Sequence, residues 1–199
     1  MGFLENKFNK DITGVNKDSK ERPIRGNGLY NGRYGTLPLP TTEPVNAEQY
    51  YRFLNYNPED GGGDIGNYIR YGDPRDIINE AEEAARQLLP RDKEGKPYKG
   101  FDDAQDAVRH ALGSYLLVKK YGVDVAKEIT DGHERTSFPL GYIGLDDDNR
   151  ESELQDLYNN RVGRDAAMNK KNKNLKTADI IMKLYQEGKL QHSPFVLKR

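Results

Sequence analysis

Apolar positions recur at helical spacing in five stretches after residue 73, and none of these alternates with the period of a strand. The longest covers residues 102–117, where Ala104, Ala107, Val108, Ala111, Leu112, Tyr115 and Leu116 follow the i, i+3, i+4, i+7 rule of one helix face. Tyr121-Gly122 closes it, glycine being the expected C-terminal residue. Upstream, Asp73-Pro74 reads as an N-cap followed by proline at the first helical position. The helix it opens buries Ile77, Ala81, Ala84, Ala85 and Leu88 and stops at Pro90, and residues 91–100 form a polar connection. Downstream, a helix from Val123-Asp124 to about Glu134 buries Ala126 and Ile129. Periodicity lapses over 136–150 and resumes over 152–164, with Leu154, Leu157, Tyr158 and Val162 inward. Residues 168–176 read as a solvated loop rich in lysine and asparagine, and residues 177–185 as a last helix stopped at Gly188. The pattern predicts an all-α domain of about five helices over 73–199.

Residues 1–72 show no such pattern. Turn signals crowd them at Gly26-Asn27-Gly28, Asn31-Gly32, Pro38-Leu39-Pro40 and Gly61-Gly62-Gly63, and only residues 48–56 suggest a short helix. No strand precedes Gly63-Asp64 and no Lys-Ser or Lys-Thr follows, so the glycines read as a joint and not a phosphate cradle. Ordering a residue's backbone costs about 1–2 kcal/mol, so this core-poor segment needs a neighbouring chain or its own domain's surface to hold it. It reads as a long irregular N-terminal arm that docks on protein partners in a larger assembly.

Composition narrows the classes. With 35% hydrophobic and 32% charged residues, a core exists but cannot extend over all 199 residues. A net charge of -1 exerts no global pull on nucleic acid, and Lys170, Lys171, Lys173 and Lys176 read as a solvated run instead of a nucleic-acid surface. The absence of cysteine excludes disulfides and thiolate metal sites. The start of the chain lacks a signal peptide's apolar stretch, and no run of about 18 apolar residues suggests a membrane span. A soluble protein made in a host cytoplasm is expected.

Chemically capable side chains fall in three clusters: Asp106, Arg109 and His110; Glu128, Asp131, His133 and Glu134; Asp156, Asn159 and Asn160. Asp106 and His110 are four apart and share a helix face away from the middle of the apolar stripe. Asp156, Asn160 and Gly163 form one line whose last member permits close approach of a helix or ligand. Two adjacent asparagines in mid-helix compete with the backbone for hydrogen bonds, so their placement is costly without partners. An imidazole beside a carboxylate suits general base catalysis, and a guanidinium binds anions bidentately. His110 is therefore the candidate general base, Asp131 or Asp156 the carboxylate orienting it, and Arg109 and Asn160 the candidate substrate-binding residues. Each has a plainer reading: His110 as a solvated histidine, Asp156 and Asn160 as a buried network, His133 and Glu134 as groups serving a helix end. Arg150 takes the place of an oxygen ligand after Asp146-Asp147-Asp148-Asn149, which excludes an EF-hand loop. No metal or cofactor is expected. As a network anchor, Asn160→Ala is expected to lower the melting temperature, and His110→Ala to change it little.

Asp106-Ala107-Val108-Arg109-His110-Ala111, Asp131-Gly132-His133-Glu134 and the run Asp156-Leu157-Tyr158-Asn159-Asn160-Arg161-Val162-Gly163-Arg164 together resemble an uncharacterised all-α domain of bacterial proteins, some toxin-like, and of phage proteins. The resemblance covers about residues 100–167. Gly132 stands where that family usually has alanine, and Leu112-Gly113 where it tends to carry a bulky aromatic. It implies a hydrolase-like site without an established reaction. Two functional expectations follow: a virion-associated or cell-envelope-directed phage protein whose arm docks the helical domain, or a free-standing hydrolase of peptidoglycan or phospholipid with His110 as general base.

Overall fold

The computed structural model describes residues 37–56, 64–136 and 147–198. Among these residues there are seven α-helices: α1 (Ala47–Leu54), α2 (Asp64–Tyr71), α3 (Arg75–Leu88), α4 (Ala104–Tyr121), α5 (Val123–Thr136), α6 (Asp147–Met168) and α7 (Thr177–Gln186). A 3-10 turn at Lys170–Asn172 interrupts the loop expected before α7, and Lys170, Lys171 and Lys173 around it are exposed. The described residues contain no strand, only isolated bridges of Val45 with Leu197 and of Arg91 with Pro97. The fold is all-α, as the periodicity requires.

Helix α4 starts where Asp103, with extended backbone, accepts hydrogen bonds from the N–H groups of Gln105 at 2.9 Å and Asp106 at 3.0 Å. Asp106 reaches back to the N–H of Asp102 at 2.9 Å, so its carboxylate is tied to the helix start before it meets any other helix. At the other end Gly122 has φ +84°, open to glycine at little strain, and α5 begins at the next residue. Helices α3, α5, α6 and α7 all pack on α4. Burial consequently covers 13 of its 18 residues and includes Gln105, Asp106, His110 and Ser114 as well as the predicted apolar stripe. The polar face that carries Asp106 and His110 is thus a second interior face.

The closest approach is between α4 and α6. A Cβ on Gly163 would lie 2.2 Å from the carbonyl oxygen of Ala111, so the two backbones touch and only glycine fits. One turn before Gly163, the short amide of Asn160 is thereby brought within reach of α4. Helix α6 also begins at Asp147, earlier than its apolar spacing indicates. Asp146 and Gly61-Gly62-Gly63 lie outside the described residues.

Residues 37–56 and 64–72 differ from the expected arm. Val45, Tyr50, Leu54 and Tyr56 are buried, α1 packs on α6, and α2 packs on α5. Their apolar side chains are few but sit on the domain's own surface, and the compact unit accordingly begins at Leu37. Residues 1–36 lie outside the described residues.

Candidate functional site

His110 stands at the centre of a polar cluster assembled by α4, α5 and α6. Asn160 accepts a hydrogen bond from Ser114 Oγ at 2.8 Å, faces His110 Nδ1 at 3.3 Å with the same oxygen, and donates from Nδ2 to Glu134 Oε1 at 3.0 Å. An amide oriented in this way assigns the ring proton to Nδ1 and leaves the lone pair on Nε2. Arg109 Nη2 lies 2.8 Å from that nitrogen and can donate to it. The guanidinium is held in turn by Asp106, through Nε at 3.0 Å and through Nη2. Asp156 Oδ1 lies 3.1 Å from His110 Nε2, is buried, and makes no hydrogen bond among the described residues. On the other side of the ring Glu134 Oε1 is 3.7 Å from Nδ1.

Burial dominates the electrostatics of these groups. It pushes the Glu134 carboxyl up to about 8, against the hydrogen bond from Asn160, so this side chain is protonated at neutral pH. Asp156 is raised well above the usual carboxylate range, first by burial and then by Glu134 and Asp106. His110 is held well below its ordinary value by burial and then by Arg109. Burial thus works against charge on all three groups at once, favouring a neutral ring and carboxyls that hold their protons more tightly than free ones. Asp106 remains as the carboxylate that answers Arg109, although burial raises it too. Asp106, His110 and Asp156 also place three potential ligand atoms within 4.8 Å of one another, but the Arg109 guanidinium bonds two of these groups and supplies the positive charge there.

A cleft open to solvent lies over this cluster. Arg109, His110, Ser114, Glu134 and Asn160 form its polar floor, and Ile78, Ala81, Leu117 and Ile129 contribute apolar wall. His133 lies on the rim side, exposed to solvent, and lines the same cleft.

Of the residues expected from the sequence, Arg109, His110, Asp156 and Asn160 come together. Asp131 does not join them. Arg164 Nη1 reaches its Oδ1 at 3.2 Å and Thr130 Oγ1 at 2.5 Å, and Lys127 pairs with its other oxygen, so these bonds tie α5 to α6. Glu134 takes the place beside His110 that was expected of Asp131. The signal was present, since Ala126, Thr130 and Glu134 fall on one line of α5 at i, i+4, i+8 and Ala126 is fully buried. Ser114 was likewise readable as the next turn of the Asp106 and His110 line. The adjacent asparagines divide their work: Asn160 faces the cluster, while Asn159 accepts from the N–H of Gln191 at 3.0 Å and donates to its carbonyl at 2.9 Å.

The family described as "Domain of unknown function (DUF6973)" has a model that matches residues 75–190, more than half of the chain. The match runs from the first residue of α3 past the end of α7 and includes every residue of the cluster. No curated protein and no solved structure matches the chain.

Proposed function

The chain belongs to this family of unknown function, and from that premise we propose that its helical domain is a hydrolase in which Glu134 is the general acid and His110 the general base. The observation that carries the reading is an imidazole that lines a cleft with apolar walls together with the Glu134 carboxyl, 3.7 Å away, and that has the Asp156 carboxyl, outside the cleft lining, at 3.1 Å. Neighbouring groups pushed in opposite directions, an acid kept protonated and a base kept neutral, divide the two proton transfers of a hydrolysis between them.

The chemistry balances on this chain's own residues. Water adds to the substrate carbonyl carbon and gives a proton to His110 Nε2; the bond to the leaving group breaks as that atom takes the proton of Glu134. The ring then gives up to solvent in the cleft the proton it gained at Nε2, and Glu134 takes one back from solvent, so that both groups return to their starting states with the Nδ1 proton still facing Asn160. Arg109 covers Nε2 in the resting arrangement, and a carbonyl oxygen that draws the guanidinium uncovers it. Arg109 then stabilises the charge developing on that oxygen. Asn160 positions both acid and base.

The test is turnover of chromogenic acyl esters and of peptidoglycan and phospholipid fragments by the full chain. Glu134→Gln and His110→Asn should each lose about 10²–10⁴-fold in kcat/KM. The wild-type rate should fall above pH about 8 as Glu134 ionises, and Glu134→Gln should lack that limb. An alkaline limb unchanged in Glu134→Gln would sink the assignment.

The phage-virion reading narrows alongside. With residues 37–56 and 64–72 packed on the domain, a docking role falls to residues 1–36. Deleting those residues should abolish incorporation into a larger assembly while leaving the helical circular dichroism intact; unchanged incorporation removes the docking role.

A further inference from the structure

The cleft has a direction. Along α4 it is lined by Arg109, His110, Gly113, Ser114 and Leu117, so it follows one face of that helix over two turns, about 12 Å at 1.5 Å per residue. Its polar end lies at Arg109 and His110, its apolar end at Leu117. Helix α5 repeats this order in reverse, contributing Glu134 and then Ile129, and α3 adds Ala81 beside Gly113 and Ile78 beyond it. A ligand with a reactive polar group at one end and an apolar body at the other fits that gradient.

The floor also selects by charge. Arg109 is paired with Asp106, and Glu134 keeps its proton at neutral pH, so the polar end has little net charge to offer an anion. A neutral carbonyl group matches it, with donors in Arg109 and Glu134 and an apolar chain to fill the walls.

Gly113 is the residue that makes room. It sits in the interior of α4, where glycine is disfavoured by about 0.5–1 kcal/mol relative to alanine. Neither the backbone nor helix packing demands it: its φ is not in the left-handed region, and an added Cβ would meet only Ala81 Cβ, at an ordinary 3.6 Å. Gly163 on α6 is the opposite case, with backbone at 2.2 Å. What remains at Gly113 is the cleft that it lines midway between the polar and apolar ends. We propose that this cleft is an acyl-chain channel, that its ligands are neutral esters or amides of unbranched apolar acyl chains, and that Gly113 determines how long a chain it accepts. The proposal rests on the hydrolase reading for the reaction, but not for the binding.

Two measurements on the full chain separate these. In the first, p-nitrophenyl acetate, butyrate and octanoate are compared as substrates. The wild type should prefer octanoate over acetate, and Gly113→Leu should lower that preference at least about tenfold, the scale expected when a side chain fills a hydrophobic pocket. Gly113→Ala should lower it less while favouring the helix, and it carries the test in the same direction if the leucine variant does not fold. In the second, octanamide and acetamide are titrated into the protein by calorimetry, with no turnover required. Octanamide should bind the wild type at least about tenfold more tightly than either Gly113→Leu or acetamide allows. Octanamide binding that weakens with bulk at Gly113, without hydrolysis of any ester, upholds the channel and overturns the hydrolase. Ester turnover indifferent both to chain length and to bulk at Gly113 upholds the hydrolase and overturns the channel.

Discussion

One amide, that of Asn160, answers polar groups from two other helices: Ser114 and His110 on α4 and Glu134 on α5. Asn160→Ala would leave these buried groups short of a partner, at a cost of roughly 1–3 kcal/mol. For a domain of this size about 1 kcal/mol corresponds to roughly 2–4 °C, so a thermal melt should show a drop of several degrees. The ring of His110 is itself buried, so His110→Ala opens a cavity and the expectation of a small effect for it gives way. Glu134 has a pH signature of its own. Its folded value of about 8 lies above its ordinary 4.5, so the native state binds more protons between these limits and stability falls as pH rises through them. His110, held below its ordinary 6.5, has the opposite slope, with stability lost as pH drops. The two slopes oppose each other below about pH 6.5, and from there to about pH 8 that of Glu134 remains, with Asp156 raised in the same direction beside it. Glu134→Gln should therefore melt higher than the wild type above about pH 8 and show no such gain near pH 4. A gain independent of pH would mean that ionisation of Glu134 is not what the fold resists.

At the scale of elements, the pair α4 and α6 decides whether the cluster exists at all. Their backbones touch at Ala111 and Gly163, and every bond from Asn160 to α4 depends on that closeness. Gly163→Ala must separate the helices, because the obstacle is backbone and cannot rotate away. The loss should exceed the roughly 1–3 kcal/mol of ordinary overpacking, and the melt should be accompanied by loss of ester turnover. Gly163→Ala with wild-type stability would show that the two helices do not meet this closely. Between α5 and α6, the buried Arg164, Thr130 and Asp131, with the half-buried Lys127, perform the corresponding task by charge. Removing one partner of such a set leaves another uncompensated, which explains why Asp131 can be buried and chemically capable without joining the cleft.

Across the whole molecule, the segment after α7 closes the domain over α6. Leu190, Gln191 and Phe195 are buried, Asn159 holds both backbone groups of Gln191, and the side chain of Gln191 bonds both backbone groups of Thr41 at 3.1 Å. Val45 pairs with Val196 and Lys198 at 2.7 and 2.8 Å, so the residues before α1 are fastened through the C-terminal segment. Asn159→Ala should loosen both together. In hydrogen exchange, the amides of Val45, Gln191 and Lys198 should lose protection while those in the middle of α4 keep theirs. Equal loss throughout would mean that the segment and the α4 core open as one unit. No helix among the described residues is long and apolar enough to cross a membrane.

The helices were legible because their signal is local. Every apolar residue expected inside along α4 and α6 is buried, and on α3 only Leu88 yields its place, to Leu89. Periodicity also placed Arg109, His110, Asp156 and Asn160 on faces that could meet, and the glycine at 163 marked a close approach. It could not show that the polar face of α4 would be interior as well, because that depends on how many neighbours the helix acquires and not on its own spacing. Desolvation, which raises Glu134 and Asp156 and lowers His110, is likewise a property of the assembled surroundings. Asp131 and Glu134 are three residues apart on one helix and nearly equivalent in sequence. Only the position of Arg164 on the facing helix, which neutralises the first, leaves the second to the imidazole. The sequence by itself determined which side chains were available on which helix face; the tertiary structure decided which of them lost water and to whom, since charge and hydrogen bonding are settled between elements.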